Sequence, residues 1–216
     1  DQVQSRGLGD VYKRQELHGA HGYLIDNFFW EGTNQRADSF GGSIDKRTAF
    51  ACEIVKRARA KVGSDFPMAI RFSQWKQQDF DAKLAYTEED LKTFLMPLVE
   101  AGIDMFHASN RRYWEPEFEG SNLNLAGWTK KLTGLPTITV GSVGLKSDFI
   151  GLYAGEDAVE SQSIDDLVKR MEADEFDMVA IGRALLSDPE WVKKVKAGDF
   201  EEIIPFEKKY AREVYF

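Results

Sequence analysis

The sequence is poor in cysteine, and it has neither a long apolar run nor an excess of positive charge. Its 216 residues include a single cysteine, Cys52, which excludes an internal disulfide and an iron–sulfur cluster held by thiolates of this chain alone. No apolar run approaches the roughly 20 residues that span a bilayer. The formal net charge of -8 argues against nucleic acid or an anionic membrane as a partner. These absences predict a soluble cytoplasmic protein.

Five short apolar segments have the composition of buried strands. They are the segment that ends near His18 and residues 68–73, 105–109, 137–141 and 178–182. Amphipathic helical patterns separate them, with predicted starts at Ser43, Thr87, Ser163 and Asp188-Pro189. Strands that alternate with helices predict βαβ units and a parallel sheet, and so an α/β fold.

Polar side chains collect where these predicted strands end. They are Arg71, Ser73, His107, Ser109, Ser142 and Arg183. The loops after the strands form the catalytic face of a (β/α)₈ barrel, but a doubly wound open sheet also binds ligands at this edge. The position of these residues therefore predicts a site without choosing between the two folds.

The number of predicted strands and the composition of the first residues indicate how much of a barrel domain the chain contains. A closed barrel has eight strands in roughly 250 residues, and only five are visible in this sequence. Residues 1–15 are polar where a buried strand would be apolar, and they resemble a non-native leader. We expect residues 16–216 to be the carboxyl-terminal part of one barrel domain in a longer enzyme.

His18, His21 and Tyr23 place two imidazoles and a phenol within six residues. Imidazole N–H groups can hydrogen-bond a carbonyl oxygen, and a phenol can deliver a proton. The histidines lack the helical i, i+4 spacing and the nearby carboxylate of a common metal site. We favour catalytic contact with a substrate over histidines that serve only the fold, and we predict no metal.

Three further positions suggest an anionic ligand. Arg71 ends an apolar strand, where a guanidinium needs a strong acceptor: a neighbouring carboxylate or the edge of a flavin that becomes anionic on reduction. Gly141-Ser142-Val143-Gly144 follows the fourth predicted strand, and Gly182-Arg183 follows the fifth. Glycines let backbone N–H groups approach a phosphate closely, and an arginine suits the same ligand.

Taken together, these motifs resemble the Old Yellow Enzyme family of FMN-dependent ene-reductases, which are NADH:flavin oxidoreductases. The similar segments are residues 18–24, 34–47, 70–73, 141–144 and 181–183, in the family's order and spacing. The resemblance runs from Glu16 nearly to the carboxyl terminus and implies a (β/α)₈ TIM barrel. The family's first three strands are absent from this chain, so the barrel is incomplete here.

The resemblance also implies roles for the candidate residues. His18 and His21 would hold the carbonyl oxygen of an activated, enone-like alkene, and Tyr23 would protonate its α-carbon. Arg71 would contact the flavin ring, and residues of the two glycine loops would surround the FMN phosphate: Gly141, Ser142, Val143, Gly144, Gly182 and Arg183. NADH or NADPH would reduce the flavin. A homo-oligomer is compatible with the family.

Several alternatives stay open at this point. Amine dehydrogenases and dienoyl-CoA reductases share the barrel, but they add an iron–sulfur cluster that Cys52 alone cannot hold. A metal-dependent barrel hydrolase would use His18 and His21 as ligands. The chain could also be an inactive fragment that does not retain FMN, because an open sheet exposes its core and its edges.

Overall fold

A computed structural model of the chain describes residues 14–153, 155 and 157–211. The described residues form these strands in chain order: β1 (Gln15–His21), β2 (Met68–Lys76), β3 (Met105–Ser109), β4 (Thr137–Val140), β5 (Ala158–Val159), β6 (Met178–Ala180) and β7 (Phe206–Glu207). One parallel sheet has the order β1-β2-β3-β4-β6, and β5 pairs with β7 antiparallel. The five predicted strands and the predicted parallel sheet are therefore confirmed.

Helices connect and follow the strands of this sheet. They are α1 (Leu24–Phe29), α2 (Ile44–Val62), α3 (Glu88–Ala101), α4 (Leu125–Thr133), α5 (Ile150–Tyr153), α6 (Asp165–Glu172), α7 (Arg183–Ser187) and α8 (Trp191–Ala197), with short 3₁₀ turns at Phe200–Glu202 and Lys208–Ala211. The predicted cap of α3 is confirmed, because the Thr87 hydroxyl accepts a hydrogen bond from the backbone N–H of Asp90.

The two faces of the sheet differ in chemistry. Side chains alternate between faces along a strand, so Leu17, Ile70 and Phe106, which lie side by side in the register, share one buried face. Phe72 of β2 meets Phe94 of α3 on this face, with ring centroids 5.4 Å apart. The opposite face carries a row of polar groups in register, His18, Arg71 and His107. The apolar face thus forms the core, and the polar face is available for a binding site.

Two boundaries and one helix differ from the prediction. Strand β2 runs past Ser73 to Lys76, whose ammonium group is buried against a carboxylate that the local sequence does not reveal. Helix α8 begins at Trp191 rather than at Pro189, because the Asp188 carboxylate accepts from Lys194 and from the N–H of Ile204 and so closes a loop. Helix α4 was not predicted.

Residues 1–13 of the predicted leader lie outside the described part of the chain, and Gln15 is the first residue of β1. The leader and the domain assignment therefore stay predictions. Among the described residues, no helix is long and apolar enough to cross a membrane. The cytoplasmic location also stays a prediction.

Candidate active site

A left-handed turn at the end of β1 brings the predicted catalytic side chains together. The pairing of β1 with β2 shifts register between Gly19 and His21, and positive φ angles follow, 63° for His21 and 81° for Gly22. The chain then reverses into α1. As a result the ring of His18 lies 5.4 Å from that of His21 and 5.1 Å from that of Tyr23, between centroids.

His21 is held on three sides. Its ring stacks on Trp75, with centroids 4.3 Å apart and planes 20° from parallel. Its Nε2 lies 2.8 Å from the Ser109 hydroxyl, and its backbone N–H donates to the Ser73 hydroxyl at 2.9 Å. Burial, followed by the positive charge of Arg71, lowers the pKa of His21 to about 3. The imidazole is therefore neutral at pH 7.

His18 and Tyr23 are more accessible than His21. The Tyr23 side chain is half exposed, 52%, and lies beside His18. Burial and the neighbouring Arg71 lower the pKa of His18 below its ordinary value, against the opposing effect of Glu16. Both histidines of the turn are thus neutral near pH 7, and each carries one N–H donor.

Arg71 joins this turn through Ser109. One guanidinium nitrogen of Arg71 donates to the Ser109 hydroxyl at 3.1 Å, the same hydroxyl that contacts His21. The Nε of Arg71 is buried and has no hydrogen-bond partner among the described residues. Burial lowers the pKa of Arg71, but a guanidinium remains charged in proteins. A buried cationic donor without an acceptor indicates a place for an anionic or strongly polar ligand.

The two glycine loops lie beyond β4 and β6. Gly141 has φ 133°, and a Cβ there would lie 2.5 Å from the carbonyl oxygen of Asn110, so no side chain fits. Ser142 also has positive φ, 53°. The Arg183 guanidinium donates to the Ser147 and Asp148 carbonyls and lies 3.4 Å from the Ser142 hydroxyl. The guanidinium of Arg183 thus lies beside the backbone of the glycine loop after β4. A cation together with backbone N–H groups is the combination that binds a phosphate.

A cavity of about 300 Å³ joins these two regions. The predicted residues that line it are His21, Arg71, Gly141, Ser142, Val143, Gly182 and Arg183. Three predicted residues do not line it: His18 lies in β1, Tyr23 lies on the turn after it, and Gly144 faces the indole of Trp191. The structure therefore brings most of the predicted residues to one cavity at the carboxyl ends of the strands.

Sequence reasoning missed three aromatic residues of this cavity region. Trp75 and Phe149 line the cavity, and Phe80 packs against both, with centroids 5.9 Å from each. Trp75 lies in the part of β2 that extends past the predicted end, and Phe149 precedes the short helix α5. Scattered aromatic residues carry no local signal of a site, since most of them pack in cores.

Ser109 was noted as a strand-end residue but not as the centre of the site. Its role follows from register, because β3 lies beside β2 and brings this hydroxyl to both Arg71 and His21. His107, on the same strand, pairs through Nδ1 with Glu16 at 2.8 Å. In the loop after β3, Arg111 lines the cavity and pairs with Asp148, whereas Tyr113 is buried in the core.

The metal alternative gains no support from the described part of the chain. Within it, no three His, Cys, Asp or Glu side chains are grouped so that they could hold a metal ion. The imidazole of His21 instead contacts the Ser109 hydroxyl.

Comparison with curated proteins finds flavin-family relatives. The chain is 36% identical over 206 residues to an NADH oxidase of Thermoanaerobacter brockii, covering 92% of this chain and 28% of that protein. It is 29% identical over 213 residues to a cinnamate reductase of Clostridium sporogenes, covering 88% of this chain and 29% of that protein. The chain thus spans less than a third of the length of these two relatives.

Comparison with solved structures confirms the fold. An Old Yellow Enzyme from a Pichia species superimposes with a TM-score of 0.65 at 18% identity, over 94% of this chain and 47% of that one. Morphinone reductase superimposes with a TM-score of 0.62 at 20% identity, over 86% and 44%. The five-stranded sheet therefore corresponds to about half of an Old Yellow Enzyme barrel, as the sequence predicts.

A family model matches residues 12–202, which is most of the chain and includes every candidate residue. The flavin and nicotinamide cofactors predicted from the sequence are the ones that this membership implies. On the strength of this match, the chain belongs to the NADH:flavin oxidoreductase / NADH oxidase family, and its described residues share the fold of part of an Old Yellow Enzyme.

Proposed function

We propose that the chain is part of an FMN-dependent oxidoreductase that uses NADH or NADPH to reduce the C=C bond of an α,β-unsaturated carbonyl compound. One observation carries this proposal. The ring of His18 lies 5.4 Å from that of His21 and 5.1 Å from that of Tyr23, at the same sheet edge as a buried guanidinium and a glycine loop. A relative named cinnamate reductase is consistent with an alkene conjugated to a carbonyl group.

The residues present fit a flavin mononucleotide. The unpartnered Nε of Arg71 offers a donor to the polar edge of the ring. The loop at Gly141 leaves no room for a Cβ, and Ser142, Val143, Gly144, Gly182 and Arg183 complete the proposed phosphate site. When bound, FMN supplies a hydride to carbon and accepts one from the nicotinamide.

His18 and His21 would hold the substrate's carbonyl oxygen. The Ser109 oxygen accepts from Arg71, and its hydroxyl proton would then be directed at Nε2 of His21. In this arrangement the ring proton of His21 would lie on Nδ1 and would be the donor to the substrate. Neutral donors aimed at an oxygen that gains negative charge lower the barrier of its formation.

Tyr23 would supply the proton. Its hydroxyl-bearing ring is half exposed and lies beside His18, so a substrate held by the histidines meets it directly. The phenol would transfer its proton to the α-carbon, and solvent would replace that proton.

The test is the visible absorption spectrum of the chain loaded with FMN. We expect a flavin band that bleaches anaerobically with NADH or NADPH and returns when 2-cyclohexenone is added. The matched variant Tyr23→Phe keeps the ring and removes the proton, so it should bleach normally and return about 100-fold more slowly. A chain that never retains FMN would show that this polypeptide is an inactive fragment, and a bleached band that enones do not restore would refute the substrate class.

A further inference from the structure

A buried ion pair lies directly behind the catalytic turn. The Lys76 ammonium, at the end of β2, lies 2.8 Å from Oδ1 of Asp26 in α1, and both side chains are fully buried. Burying two charges costs more free energy than an apolar pair of the same volume would, so such a pair is weak evidence of a role in stability alone. Its hydrogen bonds indicate a different role.

Each member of the pair is connected to the turn. The second carboxylate oxygen of Asp26, Oδ2, accepts the backbone N–H of Gly22 at 2.7 Å. The Lys76 ammonium also donates to the carbonyl of Ser73 at 3.0 Å, and the hydroxyl of Ser73 accepts the backbone N–H of His21 at 2.9 Å. The backbone N–H groups of two consecutive turn residues are thus held by the pair, one directly and one through Ser73.

The turn needs such support because of its backbone. His21 is a non-glycine residue at positive φ, a conformation that persists only where its surroundings impose it. A Cβ at Gly22 would lie 2.0 Å from the side-chain oxygen of Gln78, so the turn is also packed closely against the segment after β2. A carboxylate is the strongest acceptor available for the buried backbone N–H of Gly22 in this turn.

We propose that Asp26 and Lys76 are positioning residues that hold the turn of residues 21–23 in its left-handed form and so direct the His21 ring onto Trp75 and Ser109. Neither residue of the pair lines the cavity, and the pair acts on the turn through the backbone. The catalytic meaning of this geometry rests on the proposed function, whereas the geometry itself does not.

The test uses the fact that the sequence has three histidines, so the imidazoles of the ¹⁵N-histidine-labelled chain can be followed one by one in NMR spectra. In the unaltered chain the His21 signals should stay those of a neutral ring down to about pH 4. In Asp26→Asn the turn should relax and expose the ring to water, raising its titration midpoint by about 2 pH units toward the ordinary value of a histidine.

The size of this shift separates positioning from a charge effect. Burial is the largest cause of the lowered pKa of His21; the groups whose charges add to it are Arg71, His18, Lys76 and His107, and all four remain in Asp26→Asn. A Lys76 that stays charged would then lower the midpoint further, whereas a buried Lys76 that loses its proton would raise it by removing one of the smaller charge effects. Because burial is the largest cause, a rise of about 2 pH units requires the ring to leave its buried position.

Asp104→Asn is the matched control. Asp104 also joins a cation, Arg59, to a backbone N–H, that of Met68, but at the opposite end of the sheet. The Asp104→Asn variant should leave the titration midpoint of His21 unchanged within about 0.3 pH units. A folded Asp26→Asn chain with an unchanged or lowered midpoint would overturn the proposal.

Two further measurements test the proposal if the first variant does not fold and test whether the ring movement affects catalysis. Where Asp26→Asn does not fold, the double variant Asp26→Leu/Lys76→Met removes both charges together and avoids an unpaired buried ion. It should show a rise of at least about 2 pH units, because it also removes the Lys76 charge that lowers the pKa of His21. In the FMN-loaded chain, Asp26→Asn should lower kcat/KM for 2-cyclohexenone about 100-fold while Asp104→Asn does not. Because the titration needs neither FMN nor substrate, a failure of enone reduction in the unaltered chain would refute the proposed function and leave the positioning result standing.

Discussion

The two ends of the parallel sheet contain the same arrangement of a carboxylate, a cation and a backbone N–H, but the arrangement serves a different purpose at each end. At the amino-terminal end, Asp104 joins Arg59 to the N–H of Met68, and Asp177 joins Lys130 to the N–H of Thr137. At the carboxyl end, Asp26 joins Lys76 to the N–H of Gly22. In each case a carboxylate bridges a cation and a backbone donor.

The two ends differ in exposure and in what they hold. The Asp104 side chain is 47% exposed, whereas Asp26 and Lys76 are fully buried. The amino-terminal carboxylates attach the first residue of a strand to a neighbouring element, which serves the fold. The buried pair instead holds a turn between elements. This agrees with the division of parallel α/β folds, in which the strands' carboxyl ends carry chemistry and their amino-terminal ends carry stability.

Removal of one buried charge should have the largest effect on stability. Lys76→Met leaves the Asp26 carboxylate buried without its cation, and we expect it to lower the free energy of unfolding by about 3–5 kcal/mol. Asp104→Asn, at the half-exposed end, should cost only about 1 kcal/mol. Urea unfolding followed by circular dichroism measures both, and equal losses would show that the two ends are not specialised.

Removal of the buried guanidinium should have the next largest effect. Arg71→Met deletes the unpartnered donor at the carboxyl end, and we expect FMN to bind about 100-fold more weakly. The control Arg59→Met removes an arginine from the amino-terminal end of the sheet. Quenching of flavin fluorescence gives both dissociation constants, and a normal affinity in Arg71→Met would place the flavin elsewhere.

A single methyl group in the glycine loop should have a smaller effect. Gly141→Ala places a Cβ against the Asn110 carbonyl, so the loop must shift, and we expect about 10-fold weaker FMN binding. Gly120 also has positive φ but has open space around it, so Gly120→Ala carries the same kind of backbone strain without the clash. If both variants bind FMN equally well, the loop after β4 does not form the phosphate site.

The sheet could be predicted from the sequence because its signals are local. The apolar segments at residues 68–73 and 105–109 and the cap at Thr87 each report on neighbouring residues only. Helix α4 escaped prediction because it is short and contains Gly127, which weakens a helical pattern. The strands β5 and β7 have two residues each and join distant segments, so no local pattern marks them.

The candidate site could likewise be predicted only where its residues are close together in the sequence. His18, His21 and Tyr23 are close in sequence and therefore close in space. The contacts that organise them are not: Ser109 reaches His21 across 88 residues and Lys76 reaches Asp26 across 50. Most lysines are exposed, so the residue type alone predicts an exposed Lys76. Its burial can be explained only once its partner Asp26 is known.

The most direct test of the account is hydrogen–deuterium exchange of the chain with and without saturating FMN. We expect slower exchange in peptides that cover residues 70–73, in β2 around Arg71, and residues 140–145 and 180–185, at the carboxyl ends of β4 and β6. Peptides at the amino-terminal ends, such as residues 66–69 and 135–138, should exchange as before. Protection at the amino-terminal ends, or none anywhere, would contradict the claim that the carboxyl ends of the sheet form the flavin site.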